Sequence, residues 1–291
     1  MEKIRCAIIG PGNIGMNLLC KMERSDFLKC ILFVGRNIKS KNLTLAASKG
    51  YKISADSIEA LIKYRDTYDI IFDATSAESH RQIYQEIQKY GKYIIDLTPS
   101  KIGELCVPCL NGEECLNYDN LNMVTCGGQS LVPIAYAISR VCDNIKYFES
   151  VSTIASLSAG IATRENIDDY IETTEKALRK FTGVDNVKAM LIINPSEPPI
   201  LMRNTLYTVV ENPNMDLIIE SVKNMEKTLL KYVPGFKVVV KPVLVKEGTI
   251  ATTIEIKGTG DFLPEYSGNL DIITCAAIEM AEKYAIKLMR G

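Results

Sequence analysis

Near the amino terminus the apolar run Cys6-Ala-Ile-Ile9 leads straight into Gly10-Pro-Gly12-Asn-Ile-Gly15, and then into a helical pattern. Few short segments constrain a fold this strongly. In a turn of this kind Gly10 makes the tight bend, Gly12 lets the backbone approach a pyrophosphate, and Gly15 brings the helix close onto the strand. The helix from Asn13 to Arg24 carries Ile14, Leu18, Leu19 and Met22 on one face. Its N-terminal amides then face the phosphates. A tight strand-to-helix turn with no ligand is the competing reading. The position of the motif in a first βαβ unit favours a dinucleotide-binding fold.

The pattern continues in the same sense. Cys30 to Val34 and Tyr51 to Ile53 read as strands, and Ser57 to Tyr64 as a helix. Asp69 to Asp73 is the next strand. The helix Glu78 to Tyr90 ends at Gly91, and Lys92 to Asp96 is a further strand. Strands alternating with helices at this spacing predict an α/β, Rossmann-type parallel sheet with helices on both faces. After about Cys142 the character changes. Tyr147 to Ala155, Lys188 to Ile193, Ile200 to Val210, Phe236 to Val245 and Thr249 to Ile256 read as strands. The helices Asn166 to Phe181 and Met215 to Tyr232 fall between them, which predicts an α+β domain with a mainly antiparallel or mixed sheet. Asn269 to Met289 is one continuous helical pattern.

In a dinucleotide fold a carboxylate about twenty residues beyond the glycine turn holds the ribose hydroxyls of NAD. Here that stretch reads Val34-Gly-Arg-Asn-Ile-Lys-Ser-Lys41, without a carboxylate. Arg36, Lys39 and Lys41 are placed to surround a 2′-phosphate, so NADP is expected to be accepted beside NAD. The alternative is that the lysines are solvated loop charges and Arg36 stacks on adenine. Ser76 and Ala77, just past the strand ending at Asp73, are expected at the sheet edge where a cofactor binds.

The second informative segment is Asn122-Met-Val-Thr-Cys126-Gly-Gly-Gln129. It puts a thiol at the end of a strand and the start of a long apolar helical run. Amide N–H groups and the positive end of a helix dipole favour the thiolate there, the form that attacks carbonyls. The amides near Gly127 and Gly128 are candidates for an oxyanion hole. Small core packing is the plainer reading of such a cysteine. Together with a nucleotide fold, Cys126 points to aldehyde oxidation through a covalent thioester. The chain holds nine cysteines, an odd number at irregular spacing, which reads as reduced thiols. Cys106-Val-Pro-Cys109 has CxxC spacing but lacks the second ligand pair of a zinc site, so no metal is expected. The single histidine, His80, reads as a helix-surface or capping residue.

With 291 residues, 47% of them apolar, and a net charge of −1, the chain has the composition of an ordinary globular protein. That balance gives no broad attraction to nucleic acid or anionic membrane. No run of about eighteen apolar residues is present, and the N-terminal segment reads as a strand rather than a signal peptide. The expected location is the cytoplasm.

Seven segments resemble, in order, the acylating acetaldehyde dehydrogenases of aromatic-degradation pathways. They are Cys6 to Gly15, Ile71 to Ala77, Ile95 to Pro99, Met123 to Gln129, Asn194 to Pro199, Tyr232 to Gly235 and Gly268 to Ile272. The resemblance implies a two-domain, glyceraldehyde-phosphate-dehydrogenase-like fold. Residues 1–130 and 269–291 would form the nucleotide-binding domain with a returning C-terminal helix, and 131–268 the catalytic and dimerisation domain. It implies conversion of an aldehyde, NAD and coenzyme A to an acyl-CoA, association with a 4-hydroxy-2-oxoacid aldolase, and a homodimer. By position Cys126 corresponds to the acyl-thioester cysteine. Gly12, Asn13, Ile14 and Gly15 correspond to one nucleotide-contact segment. Ser156, Leu157, Ser158, Ala159, Gly160, Ile161, Ala162, Thr163 and Arg164 correspond to a second, and Asn269 to a third.

Two departures stand out. The family's Met-Arg-Asp-Thr motif, whose aspartate assists the cysteine, reads Met202-Arg-Asn204-Thr205 here. Asn204 exchanges hydrogen bonds but takes up no proton at neutral pH. Leu157 stands where the family carries arginine, and Ile161-Ala162 where it carries Pro-Gly. The sequence therefore supports a CoA-acylating aldehyde dehydrogenase, run in either direction on a small aldehyde or acyl-thioester. The alternative is a catalytically weak or inactive nucleotide-binding scaffold subunit of an aldolase complex.

Overall fold

The computed structural model of the chain describes residues 2–246 and 248–290. Two compact units emerge, Met1–Met123 with Thr274–Gly291, and Val124–Ile273. The sequence places the borders after residue 130 and before residue 269. Contacts draw them a few residues away, which puts Cys126 in the second unit.

In the first unit, β1 (Ile4–Ile9), α1 (Asn13–Glu23), β2 (Leu28–Val34), α2 (Lys41–Ser48), β3 (Ile53–Ser54) and α3 (Ser57–Lys63) build one half. β4 (Ile70–Asp73), α4 (Ala77–Ile87), β5 (Tyr93–Asp96), β6 (Glu104–Leu105), α5 (Pro108–Cys115) and β7 (Asn120–Asn122) build the other. Their sheet runs β3-β2-β1-β4-β5-β7-β6, and every pairing is parallel. A parallel sheet covered on both faces needs strands that are apolar throughout. β4 and β5 are buried at every position, Asp73 and Asp96 included. Strand order reverses between β1 and β4, which opens the crevice where α/β sheets take ligands.

Two helices in this unit escape the sequence pattern. In α2 only Leu43 and Ala46 are buried, too few to mark a face, so Lys41 opens a helix where a loop is expected. α5 starts with Pro108 in its first turn, where the missing N–H costs nothing. Among the described residues no group of three or more His, Cys, Asp or Glu side chains is arranged to hold a metal ion.

In the second unit, α6 (Cys126–Ser139) precedes β8 (Ile145–Ala155), α7 (Ile161–Glu165), α8 (Ile167–Thr182) and β9 (Val187–Asn194). β10 (Met202–Val210), α9 (Met215–Leu229), β11 (Phe236–Lys246) and β12 (Thr249–Ile256) follow. The sheet order is β11-β12-β10-β8-β9, antiparallel except for β8 with β9. β10 alternates, burying Met202, Asn204, Leu206, Thr208 and Val210 on one face. β8 does the same with Phe148, Ser150, Ser152 and Ile154. α6, α8 and α9 pack against this sheet. β11, an edge strand, leaves Val239, Val240, Val243, Leu244 and Val245 exposed.

The last helix, α10 (Gly268–Arg290), starts in the second unit, and its residues from Thr274 onward belong to the first. There Thr274 accepts from Asn17 Nδ2 at 2.9 Å, and Tyr284 stacks on Tyr93 with ring centres 3.8 Å apart. No helix among the described residues is long and apolar enough to cross a membrane.

Candidate active site

The thiol turn is built on backbone strain. Val124 has φ +58°, a left-handed conformation that a β-branched residue rarely adopts. It directly precedes Thr125, which caps α6, and Cys126 is the first residue of that helix. The Thr125 hydroxyl accepts from Gly128 N–H at 2.9 Å and sits 2.7 Å from Thr174 Oγ1. Thr174 in turn donates to the Tyr170 carbonyl at 2.8 Å, so the Thr125 hydroxyl must be the donor between the two threonines.

A second set of bonds holds the turn from the sheet side. Ser130 Oγ donates to Gly127 O at 2.7 Å and accepts from Asn204 Nδ2 at 2.6 Å. Asn204 Oδ1 accepts from Thr153 N–H at 3.2 Å. Asn204, fully buried, is thus a brace for the backbone of the turn through Ser130, with both ends of its amide engaged. Gly127 has to be glycine. A Cβ there would lie 2.0 Å from the Tyr170 hydroxyl and 2.4 Å from Ser152 Oγ.

This site corrects two expectations. Gly128 N–H is taken by the Thr125 cap and is not available as an oxyanion donor. The Cys126 thiol is not acidic in the resting site. Although the residue keeps some accessible surface, burial pushes its thiol up to about 11. The Tyr170 hydroxyl, the Gly127 amide and the cysteine's own amide pull the other way. No charged side chain contributes, so the helix end alone does not overcome dryness.

The glycine turn of the first unit has the opposite character. Gly10 has φ +103°, and a Cβ there would lie 2.4 Å from Ala74 O, so it lies tight against the end of β4. Gly12 opens α1 with no side-chain cap, and a Cβ on it would meet nothing within 4 Å. Gly12 and Asn13 are exposed, Ile14 half-buried and Gly15 buried. Uncapped first-turn amides in open space fit a dinucleotide pyrophosphate. Arg36, Lys39 and Lys41 are exposed beyond β2, and Asn42 Nδ2 ties α2 to Pro11 O at 2.9 Å. Ser76 caps α4 by accepting from Ser79 N–H at 3.3 Å, with Ala77 buried behind it.

His80 is neither a surface nor a capping residue. It is fully buried between two carboxylates, with Nδ1 2.9 Å from Asp73 Oδ2 and Nε2 3.5 Å from Asp96 Oδ2. Burial pulls its pKa down, but Asp96 and Asp73 outweigh that and hold it above the ordinary value. Asp96 is pushed up to about 6 by burial, with Asp73 adding to the effect and His80, Ser100 and Thr98 opposing it. Asn120 Nδ2 lies 3.3 Å from Nε2 while its Oδ1 has no partner. Turning this amide over lets Oδ1 accept from the imidazolium, as a raised pKa requires.

The segment from Ser156 to Arg164 closes on itself. Arg164 donates through Nε to Ala159 O at 3.1 Å and through a guanidinium nitrogen to Ser156 Oγ at 2.9 Å. Its charge is spent on its own loop. Leu157 points outward, 68% exposed, while Ser158 and Ala159 are buried, Gly160 is exposed and Thr163 half-buried. The side chains of Ile161 and Ala162 lie outside the described residues. Asn269 joins this segment, donating through Nδ2 to Ser158 O at 3.4 Å, with its buried Oδ1 left without a partner. The structure therefore gathers Asn269 with Ser158, and Asn204 with the Cys126 turn. Sequence reasoning missed Tyr170, which arrives from α8 and bears no local motif.

The architecture is that of a two-part dehydrogenase with a Rossmann-type sheet and a second, mixed sheet, as in glyceraldehyde-phosphate-dehydrogenase-like folds. Aspartate semialdehyde dehydrogenase II of Vibrio cholerae, solved in complex with ASA, superposes with a TM-score of 0.67 at 13% identity, covering 99% of both chains. The family profile "Prokaryotic acetaldehyde dehydrogenase, dimerisation" matches residues 126–264. An acetaldehyde dehydrogenase of Pectobacterium atrosepticum is 48% identical over 97% of this chain and 95% of its own. Those of Carboxydothermus hydrogenoformans (49%, over 99% and 95%) and Spirochaeta aurantia (46%, over 98% and 95%) are similar to the same degree. The chain belongs to the acetaldehyde dehydrogenase family.

Proposed function

We propose that the protein is a coenzyme A-acylating aldehyde dehydrogenase that carries its acyl group on Cys126. The observation that supports this most is the placement of Cys126 at the first residue of α6, on a strained turn braced from both sides. Strain of this kind persists where surrounding structure over-determines it, and it clusters at reacting centres. Relatives bear the name acetaldehyde dehydrogenase, so a short aldehyde is the expected substrate.

A nicotinamide dinucleotide bound at the Gly10–Gly15 turn would supply the hydride acceptor. The α1 amides would hold its phosphates, and Arg36 with Lys39 and Lys41 would favour a 2′-phosphate, hence NADP alongside NAD. Cys126 as thiolate attacks the aldehyde carbonyl and forms the alkoxide of a thiohemiacetal. Loss of hydride leaves a thioester on Sγ, and the thiolate of coenzyme A displaces the acyl group, returning the electron pair to Cys126. The Gly127 amide and the cysteine's own amide face the sulfur and are the backbone donors left to the site. Asn204 acts as a brace rather than as a base.

The family's dimerisation name and the exposed Val239, Val240, Val243 and Leu244 of β11 support a homodimer through the second unit's sheet. A 4-hydroxy-2-oxoacid aldolase partner rests on the family resemblance alone. The scaffold reading draws on one observation, the engaged, proton-neutral amide of Asn204. Turnover decides between the two. Reduced nicotinamide should form from acetaldehyde or propanal only with coenzyme A present, and Cys126→Ala should abolish it. Coenzyme A-independent turnover, or turnover that survives Cys126→Ala, contradicts the proposal.

A further inference from the structure

Tyr170 lies in α8, 7% exposed, and its hydroxyl faces the Cys126 sulfur with Ser152 Oγ beside it. The hydroxyl reaches so far into the thiol turn that even a methyl group on Gly127 would collide with it. Neither the Tyr170 hydroxyl nor Ser152 Oγ closes a well-aligned hydrogen bond in the resting site. A buried phenol left in this state costs free energy unless something in the working cycle engages it. Four other polar side chains around the turn are engaged elsewhere. Thr125 caps α6 and holds the Thr174 hydroxyl, and Ser130 and Asn204 brace the backbone of the turn.

We propose that Tyr170 is a catalytic hydrogen-bond donor to the Cys126 thiolate. This inference rests on the thioester reading above and deepens it. The phenol gives up no proton. Burial and the neighbouring thiol hold its pKa well above the ordinary tyrosine value, so it cannot serve as the base. Its O–H bond points at whichever sulfur charge is present. It supports the thiolate before it forms the C–S bond to the aldehyde carbon. It supports it again when coenzyme A thiolate adds to the thioester and the C–S bond breaks with its electron pair on Sγ. A donor of this kind is worth most in a dry site with no other charge.

The test is alkylation of Cys126 in the full-length protein by iodoacetamide across alkaline pH, followed on the Cys126 peptide by mass spectrometry, beside coenzyme A-dependent turnover. Losing a hydrogen bond to a charged sulfur raises the apparent thiol pKa of Tyr170→Phe by about one or more. Alkylation at a fixed pH below that pKa slows roughly three- to tenfold, since a less acidic thiol is a somewhat better nucleophile once ionised. A ring-fluorinated tyrosine at position 170 keeps the shape and strengthens the donor, so it lowers the thiol pKa. That change of sign is one that mere packing would not produce. An unchanged alkylation profile in both variants, with turnover still dependent on Cys126, overturns the role of Tyr170 alone. Turnover that survives Cys126→Ala overturns the thioester reading itself.

Discussion

The carboxyl edge of the parallel sheet and the thiol turn are both strand-to-helix junctions, yet they are built from opposite materials. At the sheet edge the glycine turn lies open to solvent with an uncapped helix, and beside it Asp73, His80 and Asp96 form a buried cluster of charges. At the thiol turn the helix is capped, a tyrosine hydroxyl meets the sulfur, and the groups that act on the thiol are neutral. Open amides suit a ligand that brings its own negative charge. A dry neutral setting suits a nucleophile whose charge should appear only when chemistry demands it. The first region is therefore sensitive to pH and the second to the removal of single hydrogen-bond donors.

The largest expected effect breaks the charged side of this contrast. His80→Leu leaves two buried carboxylates without their cation and should cost about 3–5 kcal/mol in urea unfolding, as for other broken buried pairs. The pH dependence has a definite sign. His80 and Asp96 both have folded pKa values raised above their unfolded ones. The stability that Asp96 contributes is complete below its unfolded value of about 4 and is lost as pH rises through about 6. That of His80 is complete below about 6.5 and is lost through its higher folded value. Unfolding free energy should fall across this range in the native protein. The His80→Leu deficit should be largest near neutral pH, where Asp96 is ionised and His80 still holds its proton, and should shrink both in acid, as Asp96 protonates, and in alkali, as His80 loses its proton. A deficit that does not vary with pH would refute the charged cluster.

A smaller effect separates the two turns directly. Gly127→Ala drives a methyl group into Tyr170 and Ser152, and overpacking of this kind costs about 1–3 kcal/mol. Gly12→Ala meets nothing, so its melting temperature should hardly move while the KM for the dinucleotide rises. Equal destabilisation by the two alanines would erase the distinction between an open and a covered turn. The smallest effect concerns cofactor choice. Arg36→Glu places a carboxylate beyond β2 and should shift the ratio of kcat/KM for NADP over NAD by about tenfold toward NAD, near 1.4 kcal/mol. An unchanged ratio would remove Arg36 from the cofactor site.

What was legible in the sequence was local. Gly10, Gly12 and Gly15 mark a turn through conformations and close approaches that only small residues tolerate. Gly127 and Gly128 mark the thiol turn in the same way. The strands β8 and β10 followed from their extended patterns, and the parallel run of β1, β4 and β5 from apolar strands alternating with helices. What stayed hidden depends on residues that meet only in three dimensions. His80 looks like a solvated helix residue until Asp73, Asp96 and Asn120 from three strands close around it. Tyr170 belongs to an amphipathic helix whose pattern says only that it points inward. Asn204 reads as a lost base. The bonds to Ser130 and Thr153 that make it a brace come from α6 and β8. α2 escaped because two buried residues in eight make no period.

The central claim is that Cys126 carries the acyl group. Incubating the protein with acetyl-CoA in the absence of reduced nicotinamide, then measuring intact mass and peptide masses, tests it most directly. The account predicts one acetyl group per chain, located on the peptide containing Cys126, released by hydroxylamine and missing in Cys126→Ala. No adduct, or an adduct on another of the nine cysteines that persists in Cys126→Ala, would contradict it.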